Sequence, residues 1–284
     1  MNKVKTISQA ISNISAGSSL AFGGNTIHRV PITAVKELIV QEKIVHVIKS
    51  AGSLEVDALC AAGLAKEVTF AYVGYENFGP APFFCRAAED GQAILHEHTF
   101  PSLVAGLRAA AYGLSFMPLS LLGGSQIPQA NRWQTIRDPY TADEYIAVPA
   151  IRPDWAIIHV QQADMSGNAR IYGSKFEDVL LSRAAKRIII TCEELLPNYA
   201  LTDLPEVTDI PGFLVDAVVY TPRGAWPTSC YQHYFFSEDT IRTIVTMEHK
   251  EQLINLLFSL PTSAESPLLN TTLAKNHLGK EDNA

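Results

Sequence analysis

Apolar positions along the chain switch between helical spacing and short continuous runs. Residues 5–14 place Ile7, Ala10, Ile11 and Ile14 on one helical face, and Ala16-Gly17 ends the segment. Ser19 to Phe22 reads as a buried strand, cut by Gly23-Gly24. Pro31 suits the first turn of a helix that continues through Val35, Leu38 and Ile39. Ile44 to Ile48 is apolar and β-branched, which predicts a strand. The alternation continues with a helix over Leu54–Ala62, a strand over Val68–Val73, a helix over Pro82–Asp90 closing on Gly91, and a short strand over Ile94–His96. A helix over Ser102–Ala111 then carries Leu103, Leu107 and Ala110 on one face. Strand–helix alternation of this kind predicts an α/β fold: an open, mostly parallel sheet with helices on both faces.

Residues 115–150 break the pattern. They hold Gly123-Gly124 and several prolines, Pro118 and Pro149 among them, and show little periodicity. A long loop excursion with short irregular strands is expected, and long ordered loops in compact domains are often functional. The sheet resumes at Trp155–Val160, followed by a turn at Ser166–Asn168, a helix over Phe176–Ala185 and a strand over Arg187–Thr191. Phe213–Tyr220 reads as a further strand, and helices over Ser237–Met247 and Lys250–Ser259 close the pattern. There is no internal repeat and no interdomain linker, so 1–262 is read as one domain and 263–284 as a loosely held polar tail.

Composition narrows the function classes. The 284 residues are 47% hydrophobic and carry a formal net charge of -7, with no lysine- or arginine-rich block, which argues against nucleic acid as a partner. An acidic chain that binds an anion must use local donors, since its overall field is unhelpful. No apolar run is long enough to span a bilayer and no secretory signal is read at the N-terminus, so a cytoplasmic protein without a membrane partner is expected. Cys60, Cys85, Cys192 and Cys230 are widely spaced and form no CxxC pair, the pattern of free, mostly buried thiols.

The candidate chemistry sits in turns that follow strand-like runs, where α/β proteins bind ligands. Gly23-Gly24, followed by Asn25, lies between a strand and a proline-started helix; it reads either as a close-approach, anion-accepting loop or as a tight structural turn. It is not a GxGxxG or phosphate-loop motif. Arg29 suits an anionic ligand or an ion pair with Glu37 or another carboxylate. Glu76, with Asn77 beside it, is placed where a catalytic carboxylate can be mounted, or it is a loop acid with Asn77 capping the helix near Pro82. His96-Glu97-His98 offers half of a metal site without a third ligand at suggestive spacing, so no metal is expected; Glu97 is a candidate general base. Ser229-Cys230 lacks the neighbouring base that a thiol nucleophile needs.

Several stretches together carry a family resemblance. They are Ala21-Phe-Gly-Gly with Arg29-Val-Pro and Glu37-Leu-Ile; Tyr72-Val-Gly-Tyr-Glu-Asn-Phe-Gly-Pro-Ala-Pro82; and Asp138-Pro-Tyr with Val148-Pro-Ala-Ile-Arg-Pro-Asp154. Ile158-His-Val-Gln-Gln-Ala-Asp-Met-Ser-Gly-Asn168, Ile210-Pro-Gly-Phe-Leu-Val-Asp-Ala-Val218 and Pro227-Thr-Ser-Cys-Tyr231 complete the set. Over roughly residues 5–247 the chain resembles the α (A) subunit of class I CoA-transferases, in the glutaconate CoA-transferase branch. The resemblance implies a sheet of the CoA-transferase type, a β-subunit partner, coenzyme A as substrate and no permanently bound cofactor. It implies transfer of CoA from an acyl-CoA to a small, possibly dicarboxylic, acid. In that chemistry a glutamate attacks the thioester to give an acyl-glutamyl anhydride, then a glutamyl-CoA thioester, then the new acyl-CoA. In this branch the glutamate belongs to the β subunit, so Gly23, Gly24, Asn25, Arg29, Glu76 and Asn77 are expected to shape the acyl pocket. Tyr75-Glu-Asn-Phe is similar to the Ser-Glu-Asn-Gly of related catalytic halves, but Phe78 stands where glycine would, and the nucleophile is not carried onto Glu76.

Two other readings remain open on the sequence. The chain is also similar to ring-opening hydrolases of steroid catabolism, which would make Glu97 the base for water-dependent cleavage of a cyclic CoA thioester. A catalytically silent acyl-CoA-binding scaffold is the third.

Overall fold

The computed structural model describes residues 2–120, 124–198, 200–202 and 205–261; the polar tail at 263–284 lies outside the described residues. Strands β1 (Ser18–Phe22), β2 (Val45–Gly52), β3 (Ala65–Val73) and β4 (Ile94–Glu97) alternate with helices α1 (Ile7–Ser12), α2 (Ile32–Val40), α3 (Leu54–Ala61), α4 (Pro82–Glu89) and α5 (Phe100–Ala111). Then come β5 (Phe116–Ser120), α6 (Ile127–Ala130), β6 (Gln134–Arg137) and β7 (Glu144–Pro149). The chain continues through β8 (Trp155–Asp164), β9 (Ala169–Arg170), α7 (Asp178–Ala184), β10 (Arg187–Leu196), β11 (Ala217–Tyr220), α8 (Glu238–Val245) and α9 (Lys250–Ser259).

The main sheet runs β11-β10-β8-β1-β2-β3-β4, all parallel, with β9 added antiparallel to β8. Successive side chains on a strand face opposite layers, and the two cores follow that rule. Leu20, Phe22, Val45, Val47, Val68 and Ile157 meet the apolar faces of α1, α2, α3, α4, α8 and α9. Ala21, Ile48, Ala156, Ile158, Ile190 and Val218 meet Leu103 and Leu107 of α5 and Leu181 of α7. The helices therefore cover both faces, as the alternation predicts.

Two expectations change. The strands within 115–150 are not irregular: β5, β7 and β6 form a three-stranded antiparallel sheet with continuous register, Phe116 opposite Pro149 and Gln134 opposite Ala147. Ile146 and Val148 of β7 turn inward to pack with Ala105 of α5, which gives this short sheet its own small core. The expected strand from Phe213 begins only at Ala217. Gly212–Leu214 is a 3-10 turn, and Phe213 is 83% exposed, because Gly212 N–H is held by Asn168 Oδ1 at 2.8 Å and the backbone turns before it joins the sheet. Among the described residues no helix is long and apolar enough to cross a membrane.

Candidate functional site

The Ala21–Arg29 turn and the Arg223–Tyr231 loop, two hundred residues apart in sequence, are joined backbone to backbone. Arg29 N–H donates to Ser229 O at 2.7 Å and Ser229 N–H to Ile27 O at 2.9 Å. Both segments lie beyond the carboxyl ends of strands β1 and β11, and the 74–79 loop leaves β3 at the same end. Gly74 N–H donates to Gly52 O at 3.0 Å and Thr26 N–H to Ala51 O at 3.0 Å, which draws the end of β2 into the cluster.

The glycine pair is required by crowding. A Cβ on Gly23 would sit 2.4 Å from Asp178 Oδ1; on Gly24, at φ 74°, it would sit 2.3 Å from His28 O. Their backbone polar groups are filled from within the protein. Gly23 N–H donates to Ile157 O at 2.8 Å and Gly24 N–H to Asp178 Oδ1 at 2.8 Å. Buried Lys49 Nζ donates to Phe22 O at 3.1 Å and to Gly23 O and Gly24 O, both at 2.7 Å. Burial pulls Lys49 down and pushes Glu55, 3.7 Å from its Nζ, up. Three carbonyl acceptors match the three N–H donors that only the ammonium offers, so Lys49 is read as charged.

Arg29 is buried, and its guanidinium is committed to the fold. It donates to His159 O at 3.0 Å, Ser174 O at 2.7 Å and Asp178 Oδ2 at 2.5 Å. Its carboxylate partner is Asp178 of α7, not Glu37, whose Oε1 accepts from Gln41 at 2.6 Å. Asn25 closes a tight turn: its N–H donates to His28 O at 2.8 Å, and His28 N–H returns to Asn25 O at 2.7 Å.

What this frame presents outward is His28, with Glu76 and Ser229. His28 Nδ1 is hydrogen-bonded to Ser229 Oγ at 2.7 Å, and its Nε2 lies 3.9 Å from Glu76 Oε1. The Thr26 hydroxyl donates to the same Glu76 oxygen. Phe176 stacks on the imidazole at 6.4 Å and Phe236 meets it edge-on at 6.5 Å. Burial lowers the His28 pKa, with Glu76 opposing and Arg29 adding to the fall, so the ring is neutral near pH 7. A hydroxyl, a neutral imidazole and a carboxylate in sequence can hold a proton and orient a polar acyl group. The 3.9 Å gap leaves the relay short of a closed hydrogen-bonded triad. Thr26, Arg29, Glu76, Phe176 and Arg223 all have left-handed φ, between 42° and 57°. Strained backbone of this kind concentrates at functional sites.

Asn77 is exposed and does not cap α4. Asp57 supplies that service instead, accepting from Phe83 N–H at 2.7 Å, Phe84 N–H at 2.9 Å and the Tyr75 hydroxyl at 3.0 Å, which anchors the loop. Burial pushes Asp57 up to about 6.

Glu97 lies at the carboxyl end of β4, beside a cleft of about 400 Å³ that also presents Phe70, Asn131 and Arg132. Its carboxylate makes no hydrogen bond or ion pair with another described residue. The flanking histidines do not attend it. His96 Nε2 pairs with Glu67 at 3.0 Å; His98 is buried against Trp133, and burial, with His96, lowers it to about 4. Cys230 is buried and its thiol pushed up by burial and by Glu193, an inert environment. Sequence reasoning missed Thr26, His28, Lys49, Asp178 and Phe176 as parts of one cluster. The signal for His28 is its place inside the Ala21–Arg29 turn.

The architecture is that of a doubly wound α/β protein whose strand-end loops form the candidate site. The chain belongs to the coenzyme A transferase family, whose model matches residues 4–221. It is 37% identical over 257 residues to an uncharacterised protein of Archaeoglobus fulgidus, covering 88% of this chain and 57% of that protein. It is 33% identical to the α (A) subunit of glutaconate CoA-transferase of Acidaminococcus fermentans, over 85% of this chain and 82% of that one. It is 29% identical to the cholesterol ring-cleaving hydrolase IpdA subunit of Mycobacterium tuberculosis, over 82% and 84%. Among solved structures, glutaconate coenzyme A-transferase from Acidaminococcus fermentans superposes with a TM-score of 0.80 at 28% identity, over 90% of this chain and 93% of that one. The decarboxylase AibA/AibB superposes with a TM-score of 0.82 at 30% identity, over 91% and 99%.

Proposed function

We propose that this chain is the α subunit of a two-chain CoA-transferase that moves CoA between an acyl-CoA and a small carboxylic acid. A separate β subunit brings the nucleophilic glutamate. The supporting observation is the convergence of the 23–29, 74–79 and 223–231 loops on His28, in a chain similar to the α (A) subunit of glutaconate CoA-transferase across most of both lengths. In this reading Gly23, Gly24, Asn25 and Arg29 hold the loop in shape. Thr26, His28, Glu76 and Ser229, with Asn77 at the rim, meet the acyl group, and CoA is a substrate with no resident cofactor. The chain is assayed with and without a co-expressed β subunit for exchange of CoA onto free acids. Exchange appears only with both chains, and His28→Ala raises KM for the acid more than it lowers kcat. Full-speed exchange by the lone chain would overturn the reading.

A second reading is a CoA-thioester hydrolase with Glu97 as base. The Glu97 carboxylate, unpaired among the described residues and beside an open cleft, favours it, as does the similarity to the ring-cleaving hydrolase subunit. Glu97→Gln decides between them in the two-chain enzyme. Lost turnover of a reaction that consumes water and needs no acceptor acid selects hydrolysis; unchanged turnover removes Glu97 from the chemistry.

A further inference from the structure

Three polar side chains outside that cluster meet on one face of the main sheet. His46 of β2, Glu67 of β3 and His96 of β4 lie on three adjacent parallel strands. Register brings them together: His46 is paired with Glu67, and Thr69, two residues further along β3, with His96. Alternation puts all of them on the α5 side of the sheet, the side of Ile48, while their neighbours Val45, Val47 and Val68 fill the opposite core. One ligand atom from each lies within 4.8 Å of the others. His96 Nε2 is 3.0 Å from Glu67 Oε2, and the two imidazoles are 5.6 Å apart between centroids.

We propose that His46, Glu67 and His96 form a binding site for a divalent transition metal of the zinc class, which ties edge strand β4 to β2 across β3. Two imidazoles and one carboxylate are a common zinc set that leaves a fourth position for water. Zinc bonds of about 2.0–2.1 Å in tetrahedral geometry separate neighbouring ligand atoms by about 3.3 Å, so the 3.0 Å His96–Glu67 contact needs little adjustment to admit the ion. The Thr69 hydroxyl, 2.8 Å from His46 Nε2, fixes that ring in the way outer-shell partners orient metal-binding histidines. His46, Glu67 and His96 are half-buried, and His96 also lines the open cleft, so the ion has a path from solvent. Hard oxygen-seeking cations such as magnesium are a poor match to two nitrogen ligands.

The test is zinc binding to the full chain after stripping with a chelator. Calorimetric titration with zinc chloride gives one saturable ion at this site, and the melting temperature rises with zinc. His46→Ala and His96→Ala each weaken binding by at least about 100-fold and abolish the thermal shift, and Glu67→Gln acts in the same direction. Cobalt(II) reports the ligands in the wild-type protein whether or not a variant folds. A visible ligand-field spectrum without a thiolate charge-transfer band supports the His46–Glu67–His96 set. Absence of saturable binding overturns the proposal. So does a thiolate band, which would place the ion near Cys230, or folded variants that bind as the wild type does.

Discussion

Among the described residues, two clusters each set a glutamate against a histidine, in opposite conditions. His159, Glu193 and Cys230 are buried where the 223–234 segment meets β8 and β10; His46, Glu67 and His96 lie half-open at the sheet's edge. In the first, every polar atom of the pair is engaged. His159 Nε2 meets Glu193 Oε1 at 2.8 Å and its Nδ1 meets Thr191 Oγ1 at 2.9 Å; Glu193 Oε2 accepts from Arg223 N–H at 2.6 Å, and the Tyr234 hydroxyl donates to Oε1. In the second, the Glu67 carboxylate has one hydrogen-bond partner among the described residues, and its side chain is 43% exposed. Proximity of ligand types therefore does not make a metal site. A saturated buried cluster is a strut that fixes a loop, and an unsaturated, reachable one is open to an ion.

The largest effect comes from breaking the strut. Glu193→Ala leaves His159, Tyr234 OH and Arg223 N–H without their acceptor, and removal of one partner from such a buried network costs about 3–5 kcal/mol. Denaturant unfolding checks it, and loss of the 223–234 anchor should lower the proposed transferase activity in parallel. The same strut gives an acid limb to stability. Burial pushes the Glu193 carboxyl up, but the bonds from His159, Tyr234 and Arg223 N–H outweigh it and hold it below its ordinary value. A depressed folded pKa means the contribution is present above the unfolded value of about 4.3 and is lost as pH falls through the folded value. Glu193→Ala should flatten that part of the pH–stability curve. An unchanged acid limb would show that the network carries no linkage.

Much of this architecture is legible in the sequence because burial on a parallel sheet needs only apolar runs between helical ones. Trp155–Val160 and Arg187–Thr191 announce β8 and β10, but each strand runs on, to Asp164 and Leu196. Gln161, Gln162, Glu193 and Glu194 hide these ends, since a polar residue reads as a strand end unless its partner on another element is known. Residues 144–149 carry the alternation of a half-buried strand, obscured by the prolines and glycines around them. The candidate site divides in the same way. Gly23-Gly24 is legible from local chemistry, and Pro227–Tyr231 from the family resemblance. The meeting of His28 with Ser229 and Glu76, and of His46 with Glu67 and His96, depends on strand order and register, which no local pattern encodes.

Zinc loading sharpens the comparison with an intermediate effect. At a free zinc concentration a hundredfold above Kd, binding to the folded state alone adds about 2.7 kcal/mol. Scanning calorimetry of the wild type with and without zinc checks it. His159, already surrounded by partners, should contribute nothing, so the zinc increment should be the same in a Thr191→Val protein. An increment that vanishes with Thr191→Val would move the ion to the buried cluster and reverse the assignment of the two.

The smallest effect is the most discriminating. In metal-free protein the His96–Glu67 pair has side chains 38% and 43% exposed. Solvent screens such a pair, and its contribution lies between zero and about 1 kcal/mol. Glu67→Gln should therefore change metal-free stability by no more than about 1 kcal/mol, far less than Glu193→Ala, although both remove a carboxylate that faces a histidine. With zinc present the same substitution should erase most of the metal's increment, because glutamine offers a neutral oxygen where the ion needs an anionic ligand. Equal losses from Glu67→Gln with and without zinc would mean that the edge cluster is an ordinary surface ion pair, and that burial separates the two clusters without giving the open one a ligand.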